Sequence, residues 1–586
     1  MNLLQQERSA YLQLHKHNPI HWYPWGDAAF QAARESGKPM LLSIGYAACH
    51  WCHVMAEESF SQEDLAGVAN RFYICVKVDR EELPAVDTVY MNACQLLTGR
   101  GGWPLQILAT PDGLPFFAFT YLPKDRLSAL LVNVAMGWSQ QREAYEQAAR
   151  AITDQLVGHA QSIQPARPSA LLWEHCYQQL AADFDPKWGG FSPAPKFPMP
   201  QQLLFLLEYH RYTGHRPALD MAEHTLRQMY LGGIFDHIGG GFCRYATDDA
   251  WAIPHFEKLL CDNALLLSCY AQAYARTGKG LYRTAAERTA DYMLRELAAP
   301  GGGFFASQSA DSDGVEGKYY GWTPEEVYQL LGENDGAVFC REYGITPEGN
   351  FNGMSIPNLL SAERPEQDSD LLRQLRAAAY RHRLKRGAPA RDEKILTGWN
   401  SMAIGALAQA GRIFGREKYL DAALAGAEFL QDTMTRRDRL FHRWIGGQAR
   451  FPGTLEDYAW YAWALLELAE SGCGSHYLTA AREVTAATER LFSDRVLGGY
   501  YLCDDSDPHL PMRPKDFWDG AYPSGNSVLL YVLLKLLKTA PEPALKRQAM
   551  TQMAYLAGAA GSYPCPFALT AMMRFAGSLA AQPAGQ

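Results

Sequence analysis

The feature that most constrains the fold of this chain is a short apolar strand that runs directly into two cysteines three residues apart. Pro39–Ile44 has the pattern of a buried strand, and the residues from Cys52 to Phe60 have the pattern of a helix. Cys49 and Cys52 then lie on one helical turn, where two thiols can form a disulfide or share a metal ion. Cys49 stands at the helix N-terminus, where unpaired amides and the helix dipole lower the pKa of a thiol. The sequence therefore predicts a reactive dithiol in which Cys49 is the more exposed sulfur.

A second motif fits the same arrangement. Trp103 and Pro104 follow two glycines and precede the strand Leu105–Ala109, so that a cis proline is expected to face the thiols. Strand and helix signals alternate as βαβαββ over residues 1–125, with the thiols at the carboxyl end of the first strand of that series. This is the thioredoxin arrangement. We expect a thioredoxin-like domain with Cys49 and Cys52 as catalytic residues and Trp103 and Pro104 on the substrate side.

Other interpretations of the cysteine pair remain open. Cys49–His53 also matches the CxxCH pattern of covalent haem attachment, which requires export, and the first residues carry no visible signal peptide. Zinc would need a second Cys/His pair at ligand spacing, whereas Cys75 and Cys94 are isolated. Two inert core cysteines are the remaining alternative. The dithiol is favoured because of its strand-then-helix context, and no metal and no cofactor are expected.

Length and composition exclude several classes of protein. With 586 residues the chain exceeds one ordinary hydrophobic core, so more than one domain is expected. A net charge of −9 argues against nucleic acid or an anionic membrane as partner. No apolar run reaches the roughly 18 residues of a membrane span. Twelve scattered cysteines with one close pair are typical of a reduced protein, and a cytoplasmic location is expected.

The second half of the chain has the character of a helical repeat. After a helix-like connector over residues 126–168, residues 169–586 show helical patterns separated by loops in which paired glycines precede a bulky residue. These loops recur about every fifty residues, the length of a helical hairpin with its connections. About six such hairpins fit a closed (α/α)6 toroid with the glycine loops around a central cleft. The clearest glycine pairs are Gly189-Gly190, Gly240-Gly241, Gly302-Gly303 and Gly498-Gly499.

Short motifs of unusual composition recur along almost the whole chain. They are Asn18–Gly26, Cys49–Met55, Lys77–Glu82, Gly101–Pro104, Ala194–Pro198, Gly232–Phe242, Pro254–Lys258, Asp262–Leu265, Lys394–Thr397 and Pro523–Ser527. Together they resemble the spermatogenesis-associated protein 20 family. That resemblance implies a multidomain α/β and all-α chain, in which a thioredoxin-like domain is followed by a six-hairpin-glycosidase-like toroid. It implies no settled reaction, although fold relatives of the toroid act on sugars.

Three positions depart from the pattern of that family. His21 stands where an acidic residue is usual, Leu83 where an arginine is usual, and Cys261 where a tyrosine is usual. These departures leave the expected fold unchanged. They put in doubt any role that the family's usual side chains have at these positions.

The loops of the helical half hold candidates for acid–base chemistry. Glycoside hydrolysis needs two carboxylates, and sugar epimerisation needs groups that remove and return a proton, for which histidines suit neutral pH. We expect His237 and His255 to carry protons, with Asp248 or Asp311 as the carboxylate partner. Aspartates beside helix starts are, however, more often caps and turns than catalysts. The residues expected to bind substrate in this half are Trp251, Trp399, Glu257 and Asp457.

These features support hypotheses from different classes. The first is a dithiol/disulfide redox protein that uses a toroid of unknown substrate for recruitment. The second is a sugar epimerase, isomerase or glycoside hydrolase with a regulatory thioredoxin-like domain, and the third is a non-catalytic sugar-binding protein. The expected partner is a small polar molecule such as a sugar, a disulfide substrate, or both. Because the boundary after the connector is short, we expect the thioredoxin-like domain to pack over or beside the toroid mouth.

Overall fold

The computed structural model describes residues 1–363, 368–437 and 439–580. Its N-terminal part is a five-stranded sheet in the order β1-β3-β2-β4-β5, in which the first three strands of that order are parallel and the last two are antiparallel to their neighbours. All six residues of the central strand β2 are buried, since helices cover both faces. This sheet confirms the predicted thioredoxin-like fold. The strands are β1 (Trp22–Pro24), β2 (Met40–Gly45), β3 (Ile74–Asp79), β4 (Leu105–Ala109) and β5 (Pro115–Phe119).

Six helices accompany this sheet. They are α1 (Ala10–Leu14), α2 (Asp27–Ser36), α3 (His50–Met55), α4 (Glu63–Phe72), α5 (Pro84–Thr98) and α6 (Lys124–Ala160). The long helix α6 spans most of the expected connector and packs against α4, α5 and β5. Trp138 in this helix donates a hydrogen bond of 3.1 Å to the carbonyl of Gly37. The first part of the expected connector is therefore anchored on the thioredoxin-like sheet.

The helical half is a closed ring of inner helices. These are α8 (Pro200–Thr213), α10 (Leu260–Thr277), α15 (Thr397–Phe414), α17 (Leu455–Glu470), α19 (Gly525–Thr539) and α21 (Pro566–Ala580). Each inner helix contacts the next one along the chain, and α21 contacts α8. Glu208 of α8 joins the two ends of the ring through Arg574 of α21, with an N–O distance of 2.8 Å. The (α/α)6 toroid predicted from the glycine spacing is confirmed.

An outer layer of helices covers the ring. It consists of α7 (Ala170–Asp183), α9 (Arg216–Leu231), α11 (Gly280–Tyr292), α16 (Glu417–Thr433), α18 (His476–Phe492) and α20 (Pro543–Ala560). Between α11 and α15 the chain adds α12 (Pro324–Leu331), α13 (Glu333–Glu342) and α14 (Asp370–Arg383). Over the part of the chain that the structure describes, no helix combines the length and apolar character needed to cross a bilayer.

Short strands lie in the loops that lead into the inner helices, and these loops form the toroid mouth. They are β6 (Tyr245–Ala246), β7 (Pro254–His255), β8 (Lys258–Leu259), β9 (Ser307–Gln308), β10 (Asp311–Ser312), β11 (Val315–Glu316), β12 (Arg391–Asp392), β13 (Ile395–Leu396), β14 (Thr435–Arg436), β15 (Arg439–Ile445) and β16 (Gln448–Pro452). β8, β9 and β12 form one small sheet, and β13 to β16 form another. The loops that carry the candidate residues are thereby fixed at one end of the ring.

The glycine pairs of the sequence have a common structural role. In each of three loops the second glycine has a positive φ, and the next residue is held at both its amide and its carbonyl by an asparagine in the first turn of the following inner helix. The pairs of asparagine and held residue are Asn263 with Phe242, Asn400 with Phe304, and Asn526 with Tyr500. The repeated sequence pattern is thus a device for attaching each loop to the ring.

Replacing Gly405 by alanine should destabilise the toroid. Gly405 lies in α15, and an added Cβ would come within 2.0 Å of the Trp463 ring in α17. Overpacking of this kind costs about 1–3 kcal/mol. Gly158→Ala in α6 is the matched control, because nothing lies within 4 Å of its added Cβ, and it should gain about 0.5–1 kcal/mol. Urea unfolding of both variants measures the difference, and equal stability would contradict the close packing of these helices.

Candidate functional site

The end of the thioredoxin-like sheet that carries the cysteines faces the toroid mouth. The Tyr46 hydroxyl, just after β2, donates a hydrogen bond of 3.1 Å to Glu257. Asp79, at the end of β3, lies 2.6 Å from the ammonium of Lys394, with both side chains fully buried. Loops from both domains therefore share one interface. The face on which a thioredoxin-like domain presents its cysteines is covered by the toroid.

Cys49 and Cys52 form a disulfide at the start of α3. Cys49 is the N-cap residue, and its sulfur accepts a hydrogen bond of 3.2 Å from the Cys52 amide. The Trp103–Pro104 peptide bond is cis, as predicted, and the pairing of Leu105 with Ile44 places it at the same end of the sheet. Cys49 is 4% exposed and Cys52 is 1% exposed. Cys49 is therefore the more exposed of the two cysteines, although both are buried.

A chain of ionisable side chains crosses from the cysteine motif into the toroid. His50 Nδ1 lies 3.3 Å from Asp311 Oδ1, and its Nε2 lies 4.0 Å from Glu316 Oε2. Glu316 Oε1 lies 2.6 Å from His255 Nδ1, and His255 Nε2 lies 3.5 Å from Glu257 Oε1. Asp311 and Glu316 face each other across the β10–β11 pair. The structure thus brings His255, Asp311 and Glu257 of the predicted set beside the cysteine motif.

The contact between His50 and Asp311 is electrostatically reinforced. The hydrogen bond to Asp311 raises the pKa of His50, and the same bond lowers the pKa of Asp311. Because the pKa of His50 is raised in the folded protein, the contact contributes its full stabilisation below the ordinary histidine pKa of about 6.5. This stabilisation is lost as the pH rises through the raised pKa. Because the pKa of Asp311 is lowered, the contact also contributes its full stabilisation above the ordinary aspartate pKa of about 3.9. This stabilisation is lost as the pH falls through the lowered pKa. The contact is therefore at full strength between about pH 4 and 6.5.

Asp311→Asn should lower the pKa of His50. The substitution keeps the shape of the side chain and removes the charge that favours the imidazolium. An NMR titration of the His50 ring protons measures the change. Asp313→Asn, two residues away in an exposed pair with Lys318, is the matched control and should leave the His50 pKa in place. The same titration curve for His50 in both variants would remove Asp311 as its partner.

Glu257 and Asp262 belong to a group of polar and aromatic side chains at the interface between the domains, called the interdomain cluster below. Glu257 is completely buried, accepts hydrogen bonds from Tyr46 and Arg244 at Oε1, and has no partner at Oε2 among the described residues. Asp262 is 8% exposed, its Oδ2 likewise has no partner, and burial raises its pKa to about 7. Both carboxylates precede or begin α10. They leave unfilled hydrogen-bonding capacity at the toroid mouth.

The thioredoxin-like domain contributes aromatic and cationic side chains to the interdomain cluster. The Arg80 guanidinium stacks 4.0 Å from the Trp103 ring centroid, and Trp103 donates a hydrogen bond of 2.8 Å to Asp87. Arg244 of the toroid lies 5.2 Å from the Tyr46 ring centroid. Arg244, which donates a hydrogen bond to Glu257, thus lies against aromatic rings of the thioredoxin-like domain. A substrate-binding role of Trp103 stays a prediction.

Two further buried acidic residues are coupled electrostatically to the interdomain cluster, since Glu456 interacts with Arg80 and Asp516 interacts with Glu456. Burial and then the neighbouring Asp457 raise the pKa of Glu456 to about 7. Burial and then Glu456 raise the pKa of Asp516 well above its ordinary value. A carboxyl group whose pKa lies near neutral, as that of Glu456 does, can both give and take protons. Across residues 1–363, 368–437 and 439–580, no three His, Cys, Asp or Glu side chains are arranged to hold a metal ion.

A buried ionic cluster joins the two domains. Lys394 Nζ lies 2.6 Å from Asp79, 2.9 Å from Glu81 and 2.8 Å from Asp392, and all four side chains are at most 2% exposed. Burial raises the pKa of Glu81 to about 7. The sequence showed these charges only as parts of recognisable motifs. One sequence signal could have predicted that these charges pair with each other. A charged residue directly beside a strongly apolar strand is expected to be buried, and a buried charge requires a partner of opposite charge.

Three predicted residues lie apart from this interface. His237 is 1% exposed, bonds through Nε2 to the carbonyl of Gly232 at 3.2 Å, and has its pKa lowered to about 3 by burial. Asp248 accepts hydrogen bonds from backbone amides of its own loop. Trp251 is fully buried and donates to the carbonyl of Trp188 at 2.8 Å. Each of them stabilises a loop in this structure, and within the described part of the chain none hydrogen-bonds to the interdomain cluster.

Asp457 and Trp399 have structural contacts near the interface. Asp457 closes a capping box with Thr454 at the start of α17 and lies 2.7 Å from His442 Nδ1. Burial favours the neutral imidazole, but Asp457 outweighs it and raises the pKa of His442, whose Nε2 bonds to the carbonyl of Glu81 at 2.8 Å. Trp399 is 9% exposed and packs in the core of the ring. In this structure both residues position their neighbours.

Comparisons with known proteins agree with the two-domain architecture. The family model Thioredox_DsbH, described as a protein of unknown function, DUF255, matches residues 1–157. The human (Homo sapiens) spermatogenesis-associated protein 20 is 37% identical over 91% of this chain and 76% of its own length. The protein B0495.5 of Caenorhabditis elegans, described as uncharacterized, is 32% identical over 91% of this chain and 80% of its own length.

Solved structures that are similar to this chain include an epimerase and an isomerase. Cellobiose 2-epimerase from Spirochaeta thermophila matches 73% of this chain and 98% of its own, with 15% identity and a TM-score of 0.47. A D-mannose isomerase matches 66% of this chain and 85% of its own, with 14% identity and a TM-score of 0.43. These similarities concern the fold.

Proposed function

This chain belongs to the spermatogenesis-associated protein 20 family, and we propose that it is a thiol–disulfide oxidoreductase acting on a small polar molecule held between its two domains. One observation carries the proposal. The end of the sheet that holds the Cys49–Cys52 disulfide and the cis Trp103–Pro104 bond is turned into the toroid mouth, where Tyr46 binds Glu257. A folded protein substrate has no access to this face while the domains are closed. A small molecule fits that geometry better.

The reaction follows from the positions of the two sulfurs. The Cys49 thiolate attacks a substrate disulfide R–S–S–R′, forms a mixed disulfide and releases R′S⁻, which takes up a proton. Cys52 then loses its proton and attacks the Cys49 sulfur, so that RS⁻ leaves and the protein disulfide forms. The substrate gains two electrons and the dithiol loses two. Two molecules of a small thiol restore the dithiol: the first opens the protein disulfide and forms a mixed disulfide on Cys49, and the second attacks that mixed disulfide, so that the two thiols leave as their own disulfide.

The interdomain cluster favours a polar substrate. Glu257 and Asp262 each keep a buried oxygen without a partner, and Trp103 and Tyr46 offer aromatic surface next to them. Polar groups on a small molecule satisfy the free oxygens, and its flat faces pack on the rings. A sugar-like molecule carrying a disulfide matches both features. Nucleic acid and membranes are not among the proposed partners.

A second candidate function is acid–base chemistry on a sugar, with the cysteine pair as a control element. The observation that favours it is the pKa of about 7 of both Asp262 and Glu456, which burial causes. Such groups suit removal and return of a proton beside a carbonyl. Exchange of the C2 proton of an aldose for deuterium is the distinguishing assay. It should depend on Asp262 and be independent of Cys49.

The reaction is tested in single turnover with the reduced protein. Bis(2-hydroxyethyl) disulfide is the small substrate and insulin is the protein substrate. We expect one equivalent of the small disulfide to be reduced and insulin to react far more slowly, because the toroid shields the cysteines. Faster reduction of insulin would contradict the small-substrate proposal. No reduction of either would remove the oxidoreductase function.

A cytoplasmic location is part of the proposal. Ten cysteines outside the pair are free, and seven of them are buried. A reducing compartment keeps such thiols free, whereas an oxidising one promotes their pairing. It also supplies the small thiols that return Cys49 and Cys52 to the dithiol form.

A further inference from the structure

Behind the disulfide lies a row of buried polar side chains inside an otherwise apolar core. Lys77 of β3, Ser43 of β2 and Gln106 of β4 are direct neighbours across three strands. Lys77 Nζ donates to Ser43 Oγ at 2.8 Å, and Gln106 Nε2 donates to the same oxygen at 3.1 Å. All three side chains are at most 1% exposed. A core position of this kind is normally filled by an apolar residue.

Tyr11 connects this row to Cys52. A Cβ placed on Gly45 would meet the Tyr11 hydroxyl at 2.5 Å and the Cys52 sulfur at 2.7 Å, so the two groups face each other across this glycine. The Tyr11 side chain is fully buried. Burial raises the pKa of its hydroxyl, and a hydrogen bond with the Ser43 side chain opposes that rise. The hydroxyl therefore lies between Cys52 and the polar row. Because the hydroxyl lies beside a sulfur that must gain and lose a proton, it can transfer that proton.

The Lys77 amine has no partner of opposite charge among the described residues. Its Nζ lies 4.3 Å from the Phe60 ring centroid, 4.7 Å from the Trp22 ring and 5.2 Å from the Tyr11 ring. Burial lowers its pKa well below the ordinary value of a lysine. An uncharged amine can accept a proton. The surrounding rings then stabilise the ammonium through their faces.

We propose that Lys77 takes the proton of Cys52 through the Tyr11 and Ser43 hydroxyls, and so makes Cys52 the thiolate that resolves the mixed disulfide. The inference rests on the proposed function, since it assigns residues to the second step of that reaction. The S–H bond of Cys52 breaks, each hydroxyl passes one proton on, and Lys77 becomes the ammonium. When a reducing thiol opens the protein disulfide, Cys52 leaves as thiolate and recovers the proton from Lys77. Lys77 and Tyr11 are positioning and proton-carrying residues, whereas the reacting atoms are the two sulfurs.

The resolving step is measured directly by quenching single turnovers with acid. Reduced protein reacts with bis(2-hydroxyethyl) disulfide, and mass spectrometry follows the mixed disulfide on Cys49. In Lys77→Met we expect this species to accumulate and to decay about 10²-fold more slowly than in the wild type. Its rate of formation should not change, because Cys49 is activated by the start of α3. Tyr11→Phe, which removes only the hydroxyl, should slow decay in the same direction.

Lys124→Met is the matched control, because this lysine lies on α6 in a surface pair with Asp64. It should resolve at the wild-type rate. A structural role for Lys77 is tested by unfolding: Lys77→Met should be at least as stable as the wild type, since it replaces an unpaired buried amine by an apolar chain. Slow resolution with retained stability supports the relay. Unchanged decay in both Lys77→Met and Tyr11→Phe overturns it.

The pH profile supplies a further readout. The titratable groups around Lys77 are Tyr11 and His15 from α1, and Cys75 and Asp79 from its own strand. The wild-type resolving rate should fall as the pH drops through the Lys77 pKa, and the Lys77→Met rate should lack this step. If the wild type forms no mixed disulfide at all, the oxidoreductase proposal fails and the relay with it. If the mixed disulfide forms and the two pH profiles coincide, only the relay fails.

Discussion

Cys49→Ser should reduce thiol–disulfide exchange to the uncatalysed background, a loss on the order of 10³-fold or more. A serine hydroxyl at this position has a far higher pKa than a thiol, so no nucleophile forms at neutral pH. The start of α3, which activates a sulfur at its N-cap, has little effect on a hydroxyl. The measurement is the single-turnover release of thiol from bis(2-hydroxyethyl) disulfide.

The control for this prediction is Cys473→Ser. Cys473 is a free, half-buried cysteine in the loop after α17, remote from the interface. It should leave exchange and stability unchanged. Retained exchange in Cys49→Ser would assign the nucleophile to another thiol. Retained deuterium exchange at C2 of an aldose in the same variant would support the sugar-directed alternative.

Lys394→Met should lower the free energy of unfolding by about 3–5 kcal/mol. The substitution leaves Asp79, Glu81 and Asp392 buried together with no cation among them. Removing one partner of a buried ionic cluster exposes the desolvation cost of the others, which the cluster otherwise offsets. Because Lys394 belongs to the toroid and Asp79 to the thioredoxin-like sheet, the domains should also separate more readily.

Lys318→Met is the matched control. Lys318 pairs with Asp313 on the surface, where the two side chains are 51% and 53% exposed, and such pairs contribute about 0–1 kcal/mol. Guanidinium unfolding at fixed pH compares the two variants. Alkylation of the reduced cysteines should be faster in Lys394→Met, since opening the interface uncovers them. Equal stability of the two variants would remove the cluster as the tie between the domains.

The fold could be predicted because its signals are local. A strand followed at once by Cys49 and Cys52, and a glycine-flanked Pro104 before the next strand, specify their conformation within a few residues. The toroid could be predicted from repetition, since each asparagine of the set Asn263, Asn400 and Asn526 uses the same loop geometry. Ring closure follows from the number of hairpins and needs no further sequence signal.

The site was harder to predict because it is assembled from distant segments. His50 and Asp311 are 261 residues apart, and Asp79 and Lys394 are 315 residues apart. No periodicity connects such positions. His237 and Trp251 lie in motifs as dense as those of His255, but their side chains turn into the core. A motif that holds a loop and a motif that binds a substrate have the same composition, and only the three-dimensional arrangement separates them.

The closed ring has a consequence for how the helical half loses its structure. In an open array the terminal hairpins have one neighbour each and fray first. Here α21 contacts α8, so every hairpin has two neighbours and none is terminal. Unfolding any one hairpin breaks two interfaces at once. The ring is then open, and the inner faces of its helices are exposed to solvent. The toroid is therefore expected to melt cooperatively, with uniform hydrogen-exchange protection around the inner helices.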